Sequence, residues 1–179
     1  MFQRIKVILK YIKGPFKCAL QNGLVCGKNV TVMGGVNFGS EPYLITLKDN
    51  VRISNDVMFI THDGGNFAFR YRDEYKDVNH FGKIVVDEHT FIGARSTIMP
   101  GVHIGKNCVI GVGAVVTKSV PDNSVVVGIP AKVISDTESY AEKMKSKMPE
   151  NWDVAAYKAN KKRYLIDTIP APMTKTKNQ

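Results

Sequence analysis

The chain has few of the residues that hold a protein together or anchor it by special means. Its 179 residues include three cysteines and one tryptophan, and only 9% are aromatic. Cys18, Cys26 and Cys108 lack metal-ligand spacing, and Cys26 and Cys108 fall on inward positions of the repeat described below, so all three read as small buried hydrophobes in a reducing compartment. No run is long enough to span a bilayer, and Lys6 and Lys10 interrupt the apolar stretch at the N-terminus, which argues against a secretory signal. A cytoplasmic protein is expected. Acidic residues are the minority charge: 16 Asp and Glu against 25 Lys and Arg leave a formal net charge of +9. That excess suits an anionic partner. Much of it lies at the two ends, no DNA or RNA motif accompanies it, and the aromatics do not interleave with basic residues, so nucleic acid is not expected.

What is present is a period of six. From Val86 to Pro121 the chain reads VDEHTF, IGARST, IMPGVH, IGKNCV, IGVGAV, VTKSVP. Position one is aliphatic throughout (Val86, Ile92, Ile98, Ile104, Ile110, Val116), and position five is small or β-branched (Thr90, Ser96, Val102, Cys108, Ala114, Val120). A helix would need apolar residues at i, i+3, i+4 and i+7, and this run does not supply them. A regular hexad instead describes a triangular coil, each hexapeptide giving one short strand and one corner. Positions one and five point inward. Gly93, Gly105 and Gly111 at position two are expected to relieve a tight backbone through positive φ.

The beat begins at Cys26 with CGKNVT, VMGGVN and FGSEPY, is interrupted near residues 44–46, and resumes as LKDNVR, ISNDVM and Phe59. Asn29, Asn50 and Asn107 recur at corners, where left-handed backbone suits Asn. About two coils therefore precede the main run. Between Phe59 and Ile84 the chain is too polar to face inward, so residues 61–83 form a protruding loop, and such excursions are commonly functional. After Pro121 comes a last partial coil closing at Gly128-Ile129-Pro130. The expected organisation is an N-terminal amphipathic helix or cap over 1–23, a β-helix over 24–134 and a C-terminal helical extension with a disordered tail over 135–179. In the first part, Phe2, Ile5, Ile8, Leu9 and Ile12 share a face ringed by basic residues, and Gly14-Pro15 ends the helix. Such a helix caps the open end of the coil or rests on an anionic membrane at its inner face. In the last part, polar and aromatic helices are expected over 136–149 and 151–166.

Four histidines are candidates for chemistry. His89 and His103 take positions that face outward or sit at corners, and His80 has no motif around it. His62 directly follows a coil strand and opens the loop within Thr-His-Asp-Gly-Gly, which marks it as a functional group on a rigid support.

The run IGARSTIMPGVHIGKNCVIGVGAVVTKSVPDNSVVVGIPAKVI resembles the C-terminal coils of the hexapeptide-repeat acyltransferases, and GSEPYLITLKDNVRISNDVMFITHDGG is similar to the capsule and lipopolysaccharide O-acetyltransferase branch. The resemblance implies an all-β left-handed parallel β-helix, a homotrimer with active sites between subunits, acetyl-CoA as co-substrate and no metal. It makes His62 the general base that deprotonates an acceptor hydroxyl. Backbone groups at Ala94 and Val112 match pantetheine contacts, Thr117 and Lys118 match the nucleotide end, and Lys132 is a further candidate there. Asn37 resembles an acceptor-binding Asn. Asp63 and Arg70 bind sugar hydroxyls, orient His62 or shape the loop, and Phe67, Phe69 and Tyr71 suit a pyranose face or loop packing. The implied acceptor is a small-molecule or lipid-linked sugar. A pocket not rich in carboxylates favours a hydroxyl over an amine. Galactoside or antibiotic acetylation and a catalytically silent scaffold remain as alternatives, whereas zinc-dependent carbonic anhydrases of this fold need histidine spacing that is absent here.

Overall fold

A computed structural model describes residues 14–170. The predicted helix over 2–13 and the tail beyond Pro170 lie outside the described residues. The chain divides into two units, which meet between Tyr140 and Ala141.

The first unit is the expected coil. Its strands are β1 (Val25–Cys26), β2 (Thr31–Val32), β3 (Ile45–Leu47), β4 (Arg52–Ile53), β5 (Met58–Phe59), β6 (Ile84–Val86), β7 (Phe91–Ile92), β8 (Thr97–Ile98), β9 (His103–Ile104), β10 (Val109–Ile110), β11 (Val115–Val116), β12 (Ser124–Val127) and β13 (Lys132–Asp136). They form three sheets, ordered β1-β3-β6-β9, β2-β4-β7-β10-β12-β13 and β5-β8-β11. Every pairing up to β12 is parallel, and the coil is the left-handed β-helix of hexapeptide repeats. The hexad sets the burial. All six aliphatics at position one are at most 1% exposed, and the six small residues at position five are at most 7% exposed. Each buried Val or Ile contributes roughly 1.5–3 kcal/mol, and stacking them coil on coil makes one continuous core.

Register shows where the period is broken. In the regular turns a coil is eighteen residues, the separation of Thr90 Oγ1 and the Cys108 N–H that donates to it. The first coil lies twenty-one residues from the second, as between Asn29 and Asn50, because a 3-10 turn at Pro42–Leu44 precedes β3. The next step, Asn50 to His89, is thirty-nine, because the loop intervenes. The step from Asn107 to Asn123 shortens to sixteen.

The corners correct one expectation. Gly93, Gly105 and Gly111 do not have positive φ; the left-handed residues are at position four, including His89, Arg95 and Asn107, with Asn29, Asn50 and Asn123 at the matching corners. Position two is glycine because coils touch there: a Cβ at Gly93 would lie 2.7 Å from the Ile110 carbonyl and 2.8 Å from the Val112 nitrogen. The corner Asn side chains stack as an amide ladder, Asn29 donating to Asn50 at 3.2 Å and Asn107 to Asn123 at 2.9 Å.

Both ends of the coil carry elements that the hexad does not announce. Pro15 starts a helix that the sequence reading did not place, α1 (Pro15–Gln21), where its missing N–H costs nothing; the helix expected to end at Gly14-Pro15 lies outside the described residues. Phe16 of α1 packs on Phe38 at 5.9 Å, and Phe38 stacks on Phe59 at 5.4 Å, an aromatic column at the N-terminal end of the core. At the other end β12 pairs parallel with β10 as the expected last partial coil, and after the turn at Gly128-Ile129-Pro130 the chain reverses so that β13 returns antiparallel to β12. Helix α2 (Thr137–Lys145) follows and crosses into the second unit. There the predicted single helix over 151–166 is two, α3 (Val154–Ala159) and α4 (Lys161–Thr168). Asn160 leaves helical geometry at φ −149° and caps the second through the Arg163 N–H. Trp152, Tyr157 and Tyr164 pack together at 5.2–6.2 Å.

Candidate active site

The loop leaves and rejoins the coil as a short antiparallel ladder. His62 bridges Phe81, the Asp63 N–H donates to the His80 carbonyl at 3.0 Å, and the Gly82 N–H donates to the Thr61 carbonyl at 2.9 Å. Gly82 passes so close to the backbone of Pro100 and Gly101 in the next coil that a Cβ has no room. His62 is thus tied to the rigid prism although it begins a long excursion.

Glu41, from the lengthened first coil, reaches the same place. Its Oε2 accepts from Thr61 Oγ1 at 2.6 Å and lies 2.9 Å from His62 Nδ1. Burial pushes the Glu41 carboxyl up. The hydrogen bonds from Thr61 and His62 and the charge of His62 outweigh that, so it titrates below the ordinary carboxylate range. The Phe81 ring lies 5.7 Å from the imidazole. Around them opens a cleft of about 250 Å³, lined by Glu41, His62, Asp63, Arg70, His80 and Phe81 among others.

The other predicted acceptor residues divide into wall and frame. Asp63 Oδ1 accepts from the Gly65 N–H at 2.8 Å, capping the 3-10 turn Gly64–Ala68. Arg70 lines the cleft while its Nη2 donates to the Val78 carbonyl at 3.3 Å and to Asn79 Oδ1. Neither orients His62. Asn37 is exposed beside β5 and outside the cleft lining, with its Oδ1 accepting from the Gly39 N–H at 2.9 Å. Phe69 packs edge-on against Tyr75 at 5.7 Å, and Arg72 lies 4.6 Å over the Tyr75 ring, so these shape the loop. Phe67 and Tyr71 are 84% and 82% exposed and stand outside the cleft lining, with the Arg72 guanidinium 5.8 Å from the Tyr71 ring centroid. The cleft holds two carboxylates, which corrects the expectation of a carboxylate-poor pocket.

The predicted CoA residues do not share one edge. Ala94 and Val112 stand one coil apart at the corner between the second and third sheets, where the Gly113 N–H donates to the Ala94 carbonyl at 2.9 Å and Val112 is 74% exposed. Thr117 and Lys118 are exposed just past β11, across the third sheet, and Lys132 begins the exposed edge strand β13. His62 follows β5 at the corner between the third and first sheets, so it and Ala94–Val112 occupy different edges of the prism. Burial raises the thiols of Cys26 and Cys108, away from nucleophilic use. Among the described residues no cluster of three or more His, Cys, Asp or Glu side chains has the geometry to hold a metal, and no helix is long and apolar enough to cross a membrane.

Sequence reasoning missed Glu41. The signal was FGSEPY, a hexad whose last residues break the inward pattern, but the contact to His62 depends on the three added residues of that coil.

Known proteins share this pattern. Residues 83–118 match the family model described as the hexapeptide repeat of succinyl-transferase. Protein CapG of Staphylococcus aureus is 46% identical over 133 residues, 73% of this chain and 73% of that protein. A galactoside O-acetyltransferase of Lactococcus lactis is 36% identical over 114 residues; the match spans 60% of this chain but about half, 53%, of that enzyme. Among solved structures, a maltose O-acetyltransferase from Clostridium difficile superimposes with a TM-score of 0.53 at 26% identity, covering 67% of this chain and 73% of that one. The chain belongs to the hexapeptide-repeat acetyltransferase superfamily, and its class of activity is acyl transfer.

Proposed function

We propose that the chain is an acetyl-CoA-dependent O-acetyltransferase that acts on a sugar hydroxyl in capsule or lipopolysaccharide biosynthesis, at the cytoplasmic side of the membrane. The observation that carries this reading is His62, held on a rigid coil end by Glu41 and facing a cleft large enough for a sugar ring. The similarity to galactoside and maltose O-acetyltransferases supports a sugar hydroxyl as acceptor. The exposed ring of Phe67 on the same loop is in keeping with it, since aromatic faces pack on the apolar face of a pyranose.

In this reading His62 takes the proton of the acceptor hydroxyl as its oxygen bonds to the thioester carbonyl carbon. The carbon–sulfur bond breaks, and the imidazolium returns the proton to the departing thiolate. No enzyme-bound acyl group is needed, in keeping with thiols that burial has raised. Ala94 and Val112 hold the pantetheine arm through backbone groups, while Thr117, Lys118 and Lys132 meet the phosphates. Because His62 and the Ala94–Val112 ridge occupy different edges of one prism, a complete site takes one edge from each of two neighbouring copies, which supports a homotrimer with sites between subunits.

The test is acetyl-CoA with a panel of free sugars, nucleotide-sugars, galactosides and aminoglycosides, products read by mass spectrometry. An acetyl mass gain on a sugar, lost on mild alkaline treatment, is the expected result. Gain on an amine alone moves the reaction to another class, and failure of acetyl-CoA to bind leaves a silent scaffold.

A further inference from the structure

The three residues added to the first coil have a chemical consequence. Asn37 Oδ1 accepts from the Gly39 N–H, and Gly39 adopts φ 67°, turning the chain toward the coil end. At Gly39 a Cβ would lie 3.1 Å from Thr61 Oγ1 and 3.2 Å from the Phe59 carbonyl, so the backbone passes close to the strand that carries His62. The turn at Pro42–Leu44 then returns the chain to β3. Between these two features sits Glu41, its side chain 14% exposed and its Oε2 shared by Thr61 and His62. The coil departs from its eighteen-residue period where it delivers a carboxylate to an imidazole.

We propose that Glu41 is the positioning residue of His62, an inference that rests on the acetyltransferase reading for its effect on rate but not for its effect on the imidazole. An ionised carboxylate only accepts hydrogen bonds, so His62 Nδ1 carries the proton of that contact and Nε2 keeps its lone pair. Thr61 Oγ1 donates to the same oxygen, which fixes the carboxylate as well as the ring. The carboxylate is ionised throughout the neutral range because its hydrogen bonds hold it below the ordinary carboxylate range. Once Nε2 has taken the acceptor's proton, the imidazolium faces a full negative charge at Nδ1. Glu41 therefore selects the tautomer before the reaction and stabilises the charge that forms during it, acting through His62.

Two readouts test this. In the resting protein, ¹⁵N imidazole shifts of His62 at neutral pH are expected to show the Nδ1–H tautomer. Glu41→Gln, whose amide also offers donors to Nδ1, is expected to mix in the Nε2–H form. In turnover, Glu41→Gln is expected to lower kcat by on the order of 10²-fold or more with each KM within about threefold, and Glu41→Asp to recover part of the loss. Thr61→Val, which removes the second anchor, is expected to give a smaller fall of the same kind. Unchanged ¹⁵N shifts in Glu41→Gln overturn the proposal. So does a kcat loss matched by a rise in KM and an equal loss in Glu41→Asp, the signature of a merely structural role. If the wild type transfers no acetyl to any acceptor, the enzyme reading fails, and the ¹⁵N shifts still decide whether Glu41 governs His62.

Discussion

Asp87 shows how single residues tie coils together on the outside of the prism. It lies at the end of β6, and its two oxygens meet Lys48 Nζ of the preceding coil and His103 Nε2 of the following one, each at 2.7 Å. Burial pushes the Asp87 carboxyl up, but Lys48 and His103 pull it further down, so it titrates below the ordinary carboxylate range. A depressed folded-state value contributes stability that is present above the unfolded value, near pH 4, and is lost as pH falls through the folded one. Asp87→Asn is therefore expected to melt below wild type at pH 7, with the gap closing as pH approaches 3; calorimetry across that range checks it. At this scale the sequence is only partly legible. It placed His103 outward and His62 at the loop mouth, because position in the hexad decides direction. It did not pair either with its carboxylate: Asp87 meets His103 from an adjacent coil, and Glu41 meets His62 only across a coil that departs from the eighteen-residue period.

At the scale of elements, the coil is held to its spacing by glycines whose role is contact, not conformation. Gly93→Ala would put a methyl group against the backbone of Ile110, Gly111 and Val112, none of which can move without opening the next coil. Overpacking of this kind costs about 1–3 kcal/mol, or several degrees in melting temperature. Gly34→Ala, with open space around its added Cβ, is the control and is expected to melt near wild type. A melting temperature for Gly93→Ala equal to that of Gly34→Ala contradicts the contact account. The hexad itself was fully readable, because a residue repeated every six positions on a three-sided coil always meets the same neighbours. The ends were not. Pro15 also opens a second helix, and what seats that helix is Phe16 on Phe38, a contact between segments that the local sequence does not state. The reversal into β13 likewise follows from antiparallel pairing with β12, which no hexad encodes.

At the scale of the whole molecule, the β-helix is a rigid ruler, and the candidate site lies where the ruler is interrupted. The lengthened first coil brings Glu41, the excursion brings the cleft wall, and both converge on His62. The unbroken coils supply the ridge at Ala94 and Val112 on another edge. The central claim is that His62 is the base of an acetyl transfer. The most direct measurement is acceptor-dependent thiol release from acetyl-CoA by wild type and His62→Ala, with melting temperatures to show that both are folded. A fall of on the order of 10²-fold or more in kcat, with acetyl-CoA still bound, is the predicted result. A folded His62→Ala protein that releases thiol at the wild-type rate would contradict it.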